Sequence, residues 1–340
     1  MGMALRGLWL KLILVGVVLS AWGLCCSTLP GYAEGTAEKV TIAHWGSERI
    51  LLYLPLYIAM EEGFLERQGI EVTLKYSGND DQVFATVMSG EAQLGIGDPV
   101  FAAIARERGF PGKVIAMLVQ KIGLSGYAKS SFPREIHVPS DLGNTRIATI
   151  PAPSTTYTLL SQFLDANHLR PLGASLVQAS IGAQLATLEA GDADIAVDLE
   201  PRVSLLEEQG YRVVFNLDAY TSPMVITGLT TTEGYIASNP GTLARLTLGV
   251  QQALDAFKRD PSLGVRVTQK LFPNLSPQVV TKAVQRLGSF GVFPDSTVVQ
   301  DDLWQKALAL RLASKELKKS QRTEESVDNQ FASRAVREGR

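Results

Sequence analysis

Cysteine is nearly absent from this chain. Only Cys25 and Cys26 occur among 340 residues, side by side near the N-terminus. If the leader that carries them is removed, disulfides, thiol nucleophiles and Cys-ligated metals drop out together. Histidine is almost as scarce: His44, His137 and His168 stand at no metal-ligand spacing, so no metal site and no cofactor is expected. Neither sign of charge dominates, with 32 Lys and Arg against 34 Asp and Glu and a formal net charge of −2. That balance provides no basic field for nucleic acid or anionic lipid. No Ser-His-Asp or phosphate-loop constellation is present. Asp80-Asp81 and Glu61-Glu62 are neighbours that point different ways on a helix, which is not the geometry of an acid/base dyad.

The N-terminus carries Arg6 and Lys11, an apolar run from Leu12 to about Leu24, and Gly31-Tyr32-Ala33 before Glu34. Charge, apolar core and small residues in that order predict a secretory signal peptide over residues 1–33 and a periplasmic mature protein. The alternative is a leader that stays on as a membrane anchor, through its apolar run or through a lipid.

Two stretches about a hundred residues apart echo one another: Ser89 to Pro99 (SGEAQLGIGDP) and Ala190 to Pro201 (AGDADIAVDLEP). Each stops a helix at a glycine, Gly90 or Gly191, where a left-handed residue is wanted. Each then runs through a short strand without charge on either face, as a strand covered on both sides requires. Both strands end in carboxylates and a proline. Ligands of open α/β sheets sit beyond the carboxyl ends of the strands, so two such ends predict two α/β lobes facing each other across a cleft.

Strand and helix patterns restart near Asp141 and end near Phe215, with crossings expected over 123–128 and 223–230. The predicted layout is a discontinuous first lobe, 36–126 plus 224–317, and a continuous second lobe, 127–223. After the second crossing the pattern predicts helices only. Residues 318–340 are charged and poor in large apolar side chains, which predicts a disordered tail.

The segment Leu54 to Leu74 (LPLYIAMEEGFLERQGIEVTL) resembles the opening of ABC-transporter solute-binding proteins of the nitrate/sulfonate/taurine class, which share a domain with thiamine-pyrimidine-precursor binders. Further matches follow in order at Gly90 to Gly97, Asp141-Leu-Gly, Gly191 to Pro201 and Asn239-Pro240. The likeness covers roughly Thr41 to Asp260. It implies the type II periplasmic binding fold, an α/β architecture of two lobes, two hinge crossings and an interlobe cleft. It also implies a monomer that binds a small molecule and hands it to a membrane permease and its ATPase. A sensory ligand-binding module is the alternative. A thiamine-pyrimidine-synthesising enzyme of the same kind is disfavoured, because its cysteine cluster is missing.

Candidate ligand contacts lie where strands end. Trp45 offers a flat apolar face and Gly46 a close backbone approach. Gly78 and Asn79 in the first lobe, and Ser154 and Thr155 in the second, precede helices whose free N–H groups can meet an acceptor. Asp98, Asp198 and Glu200 end the echoed strands and can accept from an amine, or else cap the helices that follow. Arg49, Lys121 and Arg202 are the basic residues nearest these loops. Three carboxylates, hydroxyls and an indole tilt the expectation toward a neutral or amine-bearing ring, or a zwitterion, rather than a bare oxyanion.

Overall fold

The structure, a computed structural model, describes residues 37–339. The predicted leader, with Cys25 and Cys26, lies outside them. The first sheet is built from β1 (Glu38–His44), β2 (Ile70–Tyr76), β3 (Leu94–Gly97), β4 (Gly112–Val119) and β10 (Thr227–Thr232). The second comprises β5 (Ser125–Ala128), β6 (Arg146–Thr149), β7 (Ser175–Gln178), β8 (Ile195–Asp198) and β9 (Arg212–Asn216). The helices are α1 (Leu54–Glu61), α2 (Asp80–Met88), α3 (Val100–Glu107), α4 (Thr155–Ala166), α5 (Gln184–Glu189), α6 (Arg202–Glu208), α7 (Glu233–Ser238), α8 (Pro240–Arg259), α9 (Ser262–Leu271), α10 (Pro277–Ser289), α11 (Asp301–Ala313), α12 (Thr323–Ser326) and α13 (Gln330–Glu338).

The sheet orders are β2-β1-β3-β10-β4 and β7-β6-β8-β5-β9. They are the same arrangement used twice. In each, three parallel strands are followed by an antiparallel one that arrives from a crossing, β10 in the first sheet and β5 in the second. The fold is therefore the two-lobe α/β type. The echoed strands β3 and β8 hold the same third position in their sheets, and Gly90 and Gly191 take φ of +80° and +79°. Strand β4 is buried along nearly its whole length, in keeping with its unbroken apolar run.

The crossings are shorter than expected, because residues 125–128 and 227–232 are strands rather than connectors. The two connecting segments run side by side. Leu217 N–H donates to Leu124 O at 2.9 Å, Met224 N–H to Gln120 O at 2.9 Å and Ile226 N–H to Val119 O at 3.0 Å. Asp218 closes the pair from the side, accepting from the backbone N–H of Ile122 at 3.0 Å and of Gly123 at 2.7 Å. Burial pushes that carboxyl up to about 6.

Two differences concern the C-terminal third. The expectation of helices alone beyond the second crossing fails at β10. The loose tail is also replaced by order: Asp328 N–H donates to Val114 O at 2.8 Å, and Val327 forms a parallel bridge to Val114 at the edge of the first sheet. Phe331, Ala332 and Ala335, one face of α13, are buried where α13 packs on α8. One compact apolar face is enough to dock a nine-residue helix whose remaining residues, Val336 apart, are polar. Helices α10 and α11 reach both lobes: α10 packs on α6, and α11 on α3 and α4.

Candidate functional site

A cavity of about 360 Å³ lies between the carboxyl ends of β1 in one sheet and of β6 and β8 in the other. Its wall from the first lobe is the loop Trp45 to Ile50. The second lobe contributes Ile150, Gln184, Leu185 and the turn Asp198 to Arg202, and Phe272 and Leu275 add apolar surface. The lining is mainly apolar, in the size range of small-ligand sites.

Trp45 is held from behind. His44 is buried, and burial holds its imidazole down at about 4, so it is neutral at ordinary pH. As the tautomer protonated on Nδ1 it donates to Trp45 O at 2.5 Å and accepts from the Tyr57 hydroxyl on Nε2 at 2.6 Å. The Trp45 indole N–H donates to Asn79 Oδ1 at 3.3 Å. Gly46 and Gly78 pair as an isolated antiparallel bridge, Gly46 at φ +80° and Gly78 at φ +84°. Gly78 and Asn79 thus brace the tryptophan loop, and Asn79 caps α2 in a capping box with Gln82.

Asp98, Ser154 and Thr155 lie together in a tighter seam of about 30 Å³ that also includes Trp45 and Asp80. Asp98 accepts from Val100 N–H at 2.8 Å, which is a helix cap. Its Oδ2 accepts from the Thr155 hydroxyl at 2.6 Å, across the lobes, and from Arg311 Nη2 at 2.7 Å. Asp80 Oδ1 accepts from Asp98 N–H at 3.0 Å. Burial, with the Asp98 charge beside it, pushes the Asp80 carboxyl up to about 7. Ser154 caps α4 through Tyr157 N–H at 3.2 Å.

Asp198 and Glu200 line the main cavity, and both have partners. Glu200 is buried. It accepts from Ser204 N–H at 3.1 Å and the Ser204 hydroxyl at 2.9 Å, and it pairs with Arg286 of α10 at 2.5 Å. Burial raises its carboxyl above the ordinary value despite the Arg286 charge. Asp198 Oδ2 stands 3.3 Å from Arg202 Nε, close enough for an ion pair but outside hydrogen-bond geometry. Burial pushes its carboxyl up to about 6. Lys121 points instead at the crossing, its Nζ 3.4 Å from Asp218 O.

Every strand-end carboxylate thus faces an arginine: Asp98 meets Arg311, Asp198 meets Arg202, and Glu200 meets Arg286. The carboxylates that the sequence offered either to an amine or to helix capping are engaged by the chain itself. Asp98 and Glu200 accept from N–H groups at helix starts, and Asp198 accepts from Leu199 N–H beside Arg202. Arg311 and Arg286 lie 213 and 86 positions from their partners, and no local pattern announces them. Gln184, also missed, opens α5 and is 1% exposed with Nε2 unpartnered. A larger, mainly apolar groove of about 890 Å³ lies between α8, α9 and α10, but no buried unpartnered polar atom lines it. Among the described residues no group of three His, Cys, Asp or Glu side chains is placed to hold a metal ion.

The family model described as NMT1/THI5 like matches residues 52–263, more than half of the chain. The chain belongs to the NMT1/THI5-like family. The riboflavin-binding protein RibY of Chloroflexus aurantiacus is 25% identical over 221 residues, 61% of this chain. The chain spans 59% of the length of that relative. Among solved structures, the alkanesulfonate-binding protein SsuA from Xanthomonas axonopodis pv. citri, bound to MOPS, superposes with a TM-score of 0.67 at 17% identity. That match covers 87% of this chain and 99% of that one. The desulfurization enzyme DSZB superposes with a TM-score of 0.62 at 15% identity, covering 88% of this chain and 100% of that one. At such identities the likeness is one of fold, and a binding protein and an enzyme share it with this chain.

Proposed function

We propose that this NMT1/THI5-like protein is the extracytoplasmic solute-binding component of an ABC importer. It holds a small organic solute between its lobes and passes it to a membrane permease and that permease's ATPase. The observation that carries the reading is the cavity itself. It opens at the carboxyl ends of strands from both sheets and takes lining residues from both lobes. A solute seated there touches both lobes at once, so binding favours their closure. The moving bodies in this reading are the first sheet with its helices, residues 37–119 and 227–339, and the second sheet with its helices, residues 125–216. They turn about the two laced connections held by Asp218. Trp45, Gly46, Asp198 and Glu200 wall the solute, and Gly78, Asn79, Asp98, Ser154 and Thr155 stand behind them as support.

Binding without chemistry suits the lining. Its buried carboxylates are engaged with arginines, and no cysteine occurs after Cys26. The test is a thermal-shift screen of the mature protein against nitrate, sulfonates, taurine, carboxylates, aminopyrimidines and flavins, followed by incubation with each solute that binds. Recovery of the solute unchanged, with contraction of the protein in small-angle scattering, is the expected result. Conversion of the solute to a product would replace this reading with an enzymatic one.

A further inference from the structure

Helix α10 grips the second lobe along one flank. Arg286 of that helix donates to Glu200 at 2.5 Å and to the Ser204 hydroxyl at 3.2 Å, and it also pairs with Glu207. One turn earlier Lys282 meets Glu207 at 3.0 Å. Just ahead of the helix, the Ser276 hydroxyl donates to Glu208 at 2.5 Å. All of these acceptors lie on α6 or in the turn that leads into it. Leu51 N–H of the first lobe adds a bond to Glu200 O at 2.9 Å. Glu200 lines the solute cavity, and Arg286 stands outside it.

The lobes stand closed on one another. In the seam behind the cavity only about 30 Å³ is left between Asp98 and Thr155, roughly the space of one water, and the two side chains bond directly across the lobes at 2.6 Å. The anchorage of α10 in the first lobe is apolar. Leu287 closes around Gly123 with Val292 and Leu52, and Val284 shares an apolar groove with Phe257 of α8 and Val265 of α9. Its bonds to the second lobe are ionic and polar. Apolar surface that parts is exposed to water at full cost, whereas ionic groups that part regain their hydration. The junction with α6 is therefore the one that opens.

Resting on the solute-binding reading above, we infer that Arg286, Lys282 and Ser276 form a clasp that holds the cleft shut and parts from α6 when the lobes open. Arg286 is then an affinity-determining residue that acts from outside the cavity, because its bonds exist in the closed form alone. A solute that binds the closed form is held in proportion to the fraction of molecules that close without it. Loss of the clasp lowers that fraction and so weakens every solute alike, whereas loss of a lining residue discriminates among solutes. By the same coupling a bound solute tightens the clasp.

The test needs no solute. Beyond residue 36 the chain holds two tryptophans, Trp45 on the cavity and Trp304, which is 0% exposed. Acrylamide, an uncharged quencher, therefore reads the opening of the cleft through Trp45 fluorescence of the mature protein. Arg286→Gln should raise the quenching constant about three-fold or more. Lys282→Gln with Ser276→Ala, which leaves Arg286 and Glu200 in place, should raise it by a smaller factor. Cooperative unfolding well above the working temperature establishes that the variants are folded, and if Arg286→Gln is not, the double variant decides. Ser276→Cys with Glu208→Cys, joined by a short reducible bis-thiosulfonate, should return either variant to the parent's quenching, and reduction should undo this. Quenching that the variants leave unchanged, or that the cross-link does not lower, overturns the inference, because α10 then travels with α6. That outcome leaves the solute-binding reading standing. The expected quenching in a protein that binds nothing in the solute screen supports the clasp and counts against solute binding.

Discussion

Arg311 reaches from α11 to Asp98 at the end of β3, Nη2 to Oδ2 at 2.7 Å, with side-chain exposures of 0% and 4%. The same guanidinium donates from Nη1 to Pro153 O at 3.0 Å and to the Thr158 hydroxyl at 2.9 Å, both in the second lobe. Three regions of the chain therefore meet at one buried cation. The contact ties both lobes to a C-terminal helix, and it lies in the seam behind the solute cavity.

Removing one partner of that pair leaves the other charge buried and uncompensated. Arg311→Met is expected to cost about 3–5 kcal/mol, the range for breaking a buried ion pair from one side. The double variant Arg311→Met with Asp98→Asn should lose clearly less than the two single losses added together. Urea unfolding of the four proteins in the cycle measures this. Additive losses would mean that the two side chains do not depend on one another.

Asp80 gives a pH dependence of known sign. Burial raises its folded-state carboxyl to about 7 from an ordinary 3.8, so the folded protein binds the proton more tightly than the unfolded chain does. The stability linked to this group is fully present below about pH 4 and is lost as pH climbs to 7. Asp80→Asn mimics the protonated form and keeps an oxygen for Asp98 N–H. Its melting temperature should match the parent at pH 3 and exceed it at pH 8.5, by on the order of a few kcal/mol in stability. A gap that is constant across this range, or that widens toward acid, would contradict the assignment.

The order beyond Leu317 is testable in the same way. Phe331 is 3% exposed between α13 and its neighbours, so Phe331→Ala should cost about 3–5 kcal/mol as a large-to-small core change. Deleting residues 323–340 should lower the unfolding midpoint as well. A variant with the parent's midpoint would mean that α13 adds nothing to the folded core.

How far the sequence could be read follows from where each signal lies along the chain. The echoed glycine–strand–carboxylate stretches are local, and β3 and β8 occupy the same place in sheets of the same order. The caps at Asn79 and Ser154 are also local, each a polar side chain just ahead of an amphipathic helix. What escaped was made by distant partners. β5 and β10 looked like connectors because their pairing is decided by strands far away in the chain. Arg286 and Arg311 look like ordinary helix residues until folding sets them against Glu200 and Asp98. The tail was misread because Phe331, Ala332 and Ala335 are few in number, and their shared face matters only once α8 is there to receive it.

The decisive measurement is the distance between the lobes as solute is added. Residues 37–340 contain no cysteine, so paired labels can be placed at exposed Glu71→Cys in the first sheet and exposed Leu172→Cys beside the second. Double electron–electron resonance then reads the separation before and after saturation with whichever solute gives the largest thermal shift. The separation should narrow to one short population, and combining the labels with Trp45→Ala should weaken the solute and restore the broader distribution at the same concentration. A solute that binds tightly yet leaves the separation unchanged, with Trp45→Ala binding it as well as the parent does, would contradict binding between the lobes.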